Sequence, residues 1–374
     1  MFTDMNDIQE LWSFVSNNMR LGIAQPHVLF PVFAQEKDLT FEAKPLTSQP
    51  VAVSESGMQV FYRNEVTTTP RVSLVLLDWS CRESLHIFRY LASQAVPRSA
   101  FEVVWIEYYT RRHDKLDLVF KECDNAKQHP PADLWIGMGM PREVCYHKHL
   151  MYNIGLLASR GDIVVFMDSD VMMTPTFIGS IINEFTPGRR LVLHLDEVRN
   201  TDRRFYPFNN PPISALLGKG VLNWRNGRTI GLDGANGDPL HWCNYGACMC
   251  APRNELIGIG GADEHIDYLG HICGPYEMTF RLRNNGAQEH WHPKEYLYHT
   301  WHPGTDGVGN RFGPSDGRNM SSTALSVISS RRVLPLDENP LVQKLRTSQP
   351  IDMSDPNWWM NEVIRNEKRL QWRN

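Results

Sequence analysis

The sequence predicts an α/β protein whose central sheet is mostly parallel. Between residues 70 and 302, short apolar segments of strand length alternate with amphipathic segments of helix length, which is the pattern of successive βαβ units. The segment from Ile163 to Met167 is apolar at every position, as expected for a strand that is buried on both faces. A chain of 374 residues is also long enough to bury the large core that such a sheet requires.

The predicted elements follow one another along the chain. Ser80 and Glu83 have the spacing of a capping box at the start of the first helix, and Gly161 follows the second helix where a C′ glycine belongs. In order, the sequence predicts a strand at 71–77, a helix from 80, a strand at 101–109, a helix at 142–160, a strand at 163–167 and a strand at 190–198.

Three parts of the chain differ in character. Residues 1–69 form an N-terminal extension with one predicted helix, and residues 70–302 form the main domain. Residues 303–374 begin with the segment PGTDGVGNRFGPSDGRN, which predicts a mobile loop, and end in a predicted helix. We expect this C-terminal helical extension to provide the contact if the protein forms homo-oligomers. The seven cysteines are odd in number and scattered, which favours reduced thiols.

Composition and charge exclude several classes of protein. Apolar residues make up 42% and charged residues 21% of the chain, as in ordinary globular proteins. A net charge of −4 argues against binding to nucleic acid. No apolar run approaches the ~20 residues of a transmembrane segment, and the N-terminus does not resemble a signal peptide. We therefore expect a cytoplasmic protein, either free or peripheral to a membrane.

Two carboxylates directly follow the buried strand at 163–167, in the triplet Asp168-Ser169-Asp170. Side by side, they repel each other and lose hydration unless a cation or a strong donor meets them. The carboxyl ends of strands are also the edge at which open α/β sheets bind ligands. The triplet therefore predicts a divalent-cation site, and a solvated turn rich in Asp is the alternative.

Four motifs in a fixed order resemble an inverting family 2 glycosyltransferase of the GT-A fold. The resemblance covers residues 71–302, and it implies a Rossmann-like nucleotide-binding mixed sheet that is flanked by helices and carries N- and C-terminal extensions. The motifs are YNIGLLASRGDIVVFMDSDV (152–171), IGGADE (259–264), GPYEMTFRLRNNG (274–286) and YHTWHPG (298–304).

The resemblance implies a donor and a metal. The donor is a nucleoside-diphosphate sugar (a UDP- or GDP-sugar), and the acceptor is a carbohydrate or another hydroxyl compound. Glu107 matches the position where the family usually has an Asp at the nucleobase. Asp168 matches the acid near the ribose and metal, and Asp170 matches the acid that coordinates Mn²⁺ or Mg²⁺. Asn153 is assigned to the donor site as well. Arg111 could meet a phosphate, and a solvated basic turn is the other interpretation.

A late histidine is a candidate third ligand. Members of the family often place one near the metal, and His302 is the first choice here because it is nearer the Gly-rich loop. His299 is the alternative, and an imidazole ligand would bias the site toward Mn²⁺. A packed cluster of aromatic and imidazole rings without a metal is the competing interpretation.

The catalytic base is left open among three acids. Inversion requires a carboxylate that takes the proton of the acceptor hydroxyl. Aligning Arg281-Leu282 with the family puts Gly274 and Pro275 where the usual acidic pair stands, which is a departure. Glu277 is then the first choice. Asp263 and Asp267 are the alternatives, and a surface or helix-capping role is the competing explanation for each of the three acids.

Two other functions compete with glycosyl transfer. A sugar nucleotidyltransferase would share the sheet and the metal acids, but it should have a Gly-rich phosphate loop after the first strand. The segment there, LLDWSCRES, contains no glycine. A catalytically silent carbohydrate-binding or scaffold protein of the same fold is the second rival, and the irregular base region is its support.

Overall fold

The computed structural model describes most of the main domain. Arg111, Asp267, the predicted N- and C-terminal helices and the Gly-rich loop after residue 303 lie outside the described residues. The described ranges are 58–65, 68–78, 85–109, 114–140, 147–206, 211–230, 244–264, 275–302 and 337–354.

An eight-stranded mixed sheet forms the centre of the molecule, in the spatial order β1-β4-β3-β2-β5-β9-β6-β10. The pairs β4–β3, β3–β2, β2–β5 and β6–β10 are parallel, whereas β1–β4, β5–β9 and β9–β6 are antiparallel. A separate hairpin consists of β7 and β8. The strands are β1 (Gln59–Arg63), β2 (Val72–Asp78), β3 (Phe101–Tyr109), β4 (Leu134–Met140), β5 (Ile163–Asp168), β6 (Leu191–Asn200), β7 (Trp224–Arg225), β8 (Arg228–Thr229), β9 (Cys248–Pro252) and β10 (Gln288–Thr300).

Helices cover both faces of the sheet. One face packs against α1, α2 and α4, and the other against α3, α6, α7 and α8. Strand β2 shows how one sequence serves both faces, since Val72, Leu74 and Leu76 face the first layer while Val75 and Leu77 face the second. The helices are α1 (Ile87–Ala92), α2 (Asp114–Asn125), α3 (Lys148–Ala158), α4 (Phe177–Glu184), α5 (Ile213–Leu216), α6 (Arg253–Gly258), α7 (Tyr276–Asn284) and α8 (Pro340–Arg346).

The predicted α/β class is confirmed, and the sheet is mixed because β9 runs antiparallel between β5 and β6. The strand predicted at 101–109 has these bounds, and the strand at 163–167 extends by one residue to Asp168. The capping box at Ser80 and Glu83 lies outside the described residues.

The predicted role of Gly161 as a C′ glycine is wrong. Helix α3 ends at Ala158 with Ser159 as its C-cap, so Gly161 lies one residue beyond C′. A Cβ at position 161 would lie 2.8 Å from the backbone nitrogen and the Oγ of Ser73. Gly161 is therefore required by its close approach to β2.

Segments from both extensions join the domain. Strand β1, which belongs to the predicted N-terminal extension, pairs with β4 at one edge of the sheet. Helix α8, from the predicted C-terminal extension, packs against α3 and α6 and buries Leu341 and Val342. The cysteines within the described ranges (Cys123, Cys248 and Cys250) are free thiols. In the part of the chain that the structure describes, no helix is long and apolar enough to cross a membrane.

Acidic residues meet at the carboxyl ends of the parallel strands. In the strand register, Asp78 at the end of β2 is opposite Glu107 of β3, and Leu77 is opposite Asp168 of β5. The register therefore gathers three acids at one edge of the sheet, where α/β proteins of this kind bind ligands.

Candidate functional site

Asp170 lies between two histidines that come from the other end of the domain. The segment after β5 turns toward β10, where the N–H of Met172 donates to the carbonyl of Tyr298 (2.8 Å) and the N–H of Tyr298 donates back to Met172 (2.9 Å). This bridge places Asp170 beside the carboxyl end of β10, which carries His299 and leads to His302. The two histidines that the sequence offered as alternatives are therefore both at the acid.

The three side chains form a compact triangle of ligand atoms. The Oδ2 atom of Asp170 is 3.1 Å from the Nε2 of His302 and 3.4 Å from the Nε2 of His299. The two imidazole Nε2 atoms are 3.3 Å apart. A divalent ion bound at about 2.1 Å from nitrogen and oxygen ligands holds them about 3 Å from one another. The spacing and the donor types thus fit one divalent cation.

His86 is a neighbour of this cluster that the sequence did not single out. It is buried at the start of α1, and burial lowers its pKa to about 3, with a further contribution from the fields of His299 and His302. The ring is therefore neutral at physiological pH and adds no positive charge near a bound cation. Only the spatial proximity of the three imidazoles reveals this residue, so its sequence position gave no signal.

Asp168 differs from Asp170 in its exposure. Its side chain is 30% exposed, against 1% for Asp170, so Asp168 faces the open side of the sheet edge. The ammonium of Lys148 lies 3.5 Å from the Oδ1 of Asp168. The pair brings one negative and one positive charge to the place where the parallel strands end.

Lys148 is a second residue that sequence analysis missed. It is the first residue of α3, and its positive charge stands at the positive end of the helix dipole, where a cation is locally unfavourable. Residues that break a local rule of this kind are often functional. This conflict was a signal in the sequence, but it depended on knowing that the helix begins at residue 148 and not at 142.

Glu107 and Asp78 lie at the buried side of the same edge. Glu107 is fully buried, and its Oε1 accepts a hydrogen bond from the indole Nε1 of Trp135 at 2.8 Å. Asp78 is also buried, and the strand register places it next to Glu107. Asp78 was not predicted as a site residue, because it stands at the end of an apolar strand as a single acid.

Asn153 contacts the loop that contains the GGADE segment. Its Nδ2 donates to the carbonyl of Ala262 and to the Oε1 of Glu264, both at 2.8 Å, and its Oδ1 accepts from the N–H of Ala262 at 2.8 Å. Gly261 has φ +71°, and a Cβ there would lie 2.3 Å from the Oδ1 of Asn153. The side chain of Asn153 is thus fixed against a loop that only glycine allows to approach so closely.

Glu277 and Asp263 belong to one buried network. Arg281 donates to both carboxylate oxygens of Glu277, from Nε at 2.7 Å and from Nη2 at 2.9 Å. The N–H of Asp263 donates to the Oε1 of Glu277 at 3.0 Å, and the Oδ1 of Asp263 accepts from the N–H of Asp337 at 2.9 Å. Glu277, Asp263 and Arg281 are all fully buried. The network joins α7, the GGADE loop and the segment before α8.

Comparison with known proteins finds matches among solved structures. No family model and no curated protein matches the chain. A structure of S. aureus TarS residues 1–349 in complex with UDP-GlcNAc is 13% identical with a TM-score of 0.41, and the match covers 81% of this chain and 78% of that one. The mannosyltransferase PcManGT from Pyrobaculum calidifontis, in complex with GDP-Man and Mn²⁺, is 16% identical with a TM-score of 0.37.

The extent of these matches varies with the protein compared. The PcManGT match covers 68% of this chain and 60% of that one, and a match to a longer TarS structure covers 62% of this chain but only 37% of TarS. The chain therefore spans less than two thirds of some of its structural neighbours. The identities are below 25% and the TM-scores are below 0.5, so these matches by themselves assign neither a family nor an activity to this chain.

Proposed function

We propose that the protein is a divalent-metal-dependent glycosyltransferase that moves a sugar from a nucleoside-diphosphate sugar to an acceptor hydroxyl with inversion. The observation that carries this proposal is the triangle of Asp170, His299 and His302 beside Asp168. It combines a cation site with a ligand-binding edge of parallel strands, which is what transfer from a diphosphate leaving group requires.

Asp170, His299 and His302 hold the ion in this proposal, and Asp168 lies beside them. A bound Mn²⁺ or Mg²⁺ supplies neutralisation of the charge that develops on the leaving diphosphate. Two imidazoles among three protein ligands favour Mn²⁺ over Mg²⁺, because Mg²⁺ prefers oxygen ligands and water. Among the solved structures compared above, the PcManGT complex contains Mn²⁺.

Lys148 and the acids at the strand ends bind the donor. The ammonium of Lys148, which lies 3.5 Å from Asp168, donates to a diphosphate oxygen as a compact point charge. Glu107 and Asp78 lie at the ends of neighbouring strands, and we assign the nucleoside to that side of the edge. Arg111 stays a proposed phosphate ligand, and Asn153 supports the donor site through the GGADE loop that it holds.

The proposed base must reach the acceptor hydroxyl within hydrogen-bonding distance. The carboxylates of Glu277 and Asp263 are fully buried and accept hydrogen bonds from Arg281 and from backbone N–H groups. These contacts support a structural role for the two acids, in which they hold the GGADE loop in position. Asp267 follows the same loop in the sequence, and we therefore propose Asp267 as the proton acceptor.

Titration with nucleotides tests the proposal directly. UDP and GDP are added to the protein with Mn²⁺, with Mg²⁺ and with a chelator, and the melting temperature is followed, because a ligand of the folded state raises it. One nucleoside diphosphate should stabilise the protein only when the divalent ion is present. Stabilisation that is equal in the chelator would contradict the metal-dependent site.

A catalytically silent protein of the same fold is the second candidate. Gly274 and Pro275 stand where the resemblance expects an acidic pair, and Glu277 is bound by Arg281. Hydrolysis of the donor sugar in the absence of an acceptor separates the two candidates. An enzyme releases nucleoside diphosphate slowly in the presence of Mn²⁺, whereas a silent protein binds the donor and leaves it intact.

A further inference from the structure

A strongly basic segment follows β6. Residues 199–230 contain six Lys or Arg side chains and one Asp, which gives the segment a net charge of +5. The whole chain carries −4, so the rest of the chain carries −9. Positive charge is therefore concentrated in one segment of an otherwise acidic protein. We use the term basic surface for its exposed cations that form no ion pair with a described carboxylate, which are Arg203, Lys219, Arg225 and Arg228.

The basic surface begins beside the metal cluster. The guanidinium of Arg203 lies 4.5 Å from the ring centroid of Trp301, and the N–H of Trp301 donates to the carbonyl of Asn200 at 2.8 Å. Trp301 directly precedes His302, one of the candidate ligands. Tyr206 meets the Trp301 ring edge-on at 5.7 Å, so Arg203 and Tyr206 both contact the aromatic residue that precedes His302.

A two-stranded hairpin carries two of these cations. In β7 and β8, Arg225 and Arg228 are direct cross-strand partners, joined by Asn226 and Gly227 at φ 51° and 77°. Positive φ at both central residues is typical of a type I′ turn. Like charges opposite each other destabilise a strand pair, so the two arginines repel each other and destabilise the hairpin in the free protein. An anion bound between them would offset this repulsion.

The hairpin is fixed to β6 and β10. The side chain of Asn223 accepts from the N–H of Arg199 at 2.8 Å and donates to the carbonyl of Glu197 at 2.7 Å. The ring of Trp224 meets that of Tyr296 at 5.0 Å. In the strand register, Arg199 is opposite His299. The hairpin and the metal cluster therefore stand on the same two strands.

Within the described ranges the cations of the basic surface are not held in ion pairs, although Lys219 lies close enough to Asp202 to act on its charge. Two other cations of the segment are paired, Arg199 with Glu197 at 2.6 Å and Arg204 with Asp202 at 2.5 Å. Within the described ranges, no carboxylate lies within 4.0 Å of the four cations that define the basic surface. At moderate salt, exposed charges of one sign act together over about 10 Å. Such a surface attracts a chain of negative groups.

We propose that the basic surface binds the acceptor, and that the acceptor is a carbohydrate chain that carries phosphate or carboxylate groups. This inference rests on the proposed function, because it places the acceptor hydroxyl next to the metal cluster and the anionic remainder of the chain along Arg203, Arg225 and Arg228. Electrostatic attraction of this kind mainly speeds association and selects acidic partners over neutral ones.

Binding of defined probes tests the inference. Oligogalacturonate serves as the carboxylate probe, inorganic polyphosphate as the phosphate probe, and a galacto-oligosaccharide of equal length as the neutral control. Vesicles of phosphatidylglycerol form a separate arm. The full chain should bind at least one soluble anionic probe, more weakly as salt rises, and it should not bind the neutral sugar. Binding of the neutral sugar with equal affinity, or binding of the vesicles without either soluble probe, would overturn the proposal.

Matched variants locate the binding. Arg225→Gln with Arg228→Gln should weaken binding of the anionic probe about tenfold, because two exposed contacts of roughly 0.7 kcal/mol each are lost. Lys121→Gln with Lys127→Gln removes the same charge from exposed positions on and after α2, and it should leave the affinity unchanged. Equal losses of affinity for the anionic probe in both double variants would reject the basic surface as the binding site. Mn²⁺-dependent nucleotide binding is measured in the same samples, and its absence in the unmodified protein would reject the proposed function and not the surface.

Discussion

The Nε2 of His302 lies 3.1 Å from the Oδ2 of Asp170, although the two residues belong to motifs far apart in the sequence. The bridge between Met172 and Tyr298 creates this proximity, because it holds the segment after β5 against the outer edge of β10. The candidate metal site is therefore a product of sheet topology. The role of Asp170 can be tested through Mn²⁺ binding alone, so the test does not require the identity of the donor sugar.

The first prediction concerns Asp170. Asp170→Asn removes one negative charge at constant volume, so the fold should persist while affinity for Mn²⁺ falls by more than about tenfold. Calorimetric titration with Mn²⁺ measures the change, and the nucleotide-dependent rise in melting temperature should disappear with it. Asp162→Asn is the matched control, since Asp162 is 64% exposed before the start of β5. An Asp170→Asn protein with normal Mn²⁺ affinity would remove Asp170 from the metal site.

The second prediction concerns Lys148. Lys148→Met keeps the length of the side chain and removes its charge, so affinity for a nucleoside diphosphate should fall about tenfold, which is the effect of one partly buried charged contact. Affinity for the corresponding nucleoside, which lacks phosphates, should not change. Calorimetry with both ligands measures the difference. If the two affinities fell together, Lys148 would act on the nucleoside side or on the fold.

The third prediction tests whether Glu277 has a structural role or a catalytic one. Glu277→Gln leaves the buried guanidinium of Arg281 without its negative partner, which should cost about 3–5 kcal/mol of unfolding free energy. The added change Arg281→Met should recover part of that loss, because the unpaired charge is then gone. Urea unfolding of the single and double variants measures both effects.

Asp267→Asn is the comparison for this prediction. It should reduce transfer by about 10² to 10⁴ without a matching loss of stability, as expected for a general base. If Glu277→Gln were as stable as the unmodified protein and still lost transfer, Glu277 would be the base and the proposed assignment would be incorrect.

Several strands could be predicted from the sequence because they are uninterrupted apolar runs. Strands β2, β3 and β5 are of this kind. Strand β4 was missed because two glycines interrupt LWIGMGM, and β10 was missed because its sequence is polar and contains Pro293. The β10 register shifts between Trp291 and Tyr296, so Pro293 lies in an irregular part of an edge strand, where proline is tolerated.

The candidate site was only partly predictable for a related reason. Asp168 and Asp170 follow a recognisable strand, and His302 belongs to a recognisable motif. Asp78, Lys148 and His86 acquire meaning only through their neighbours, because strand register or helix bounds must be known first. Their residue types and positions in the sequence did not distinguish them from ordinary surface or core residues.

The last prediction concerns pH and the buried imidazole of His194. Its ring packs against Trp291 at 4.6 Å and contacts the carbonyl of Cys248 and the hydroxyl of Thr279. Burial lowers its pKa to about 4 from the ordinary 6.5.

Between those two pKa values the unfolded chain binds a proton that the folded chain excludes, so stability must fall as the pH falls through this range. From pH 7.5 to pH 5, the unfolding free energy should decrease by about 2 kcal/mol on account of this residue. Urea unfolding at several pH values measures the slope, and His194→Gln should make it shallower by about one proton. A His194→Gln protein with an unchanged slope would show that another group controls acid stability.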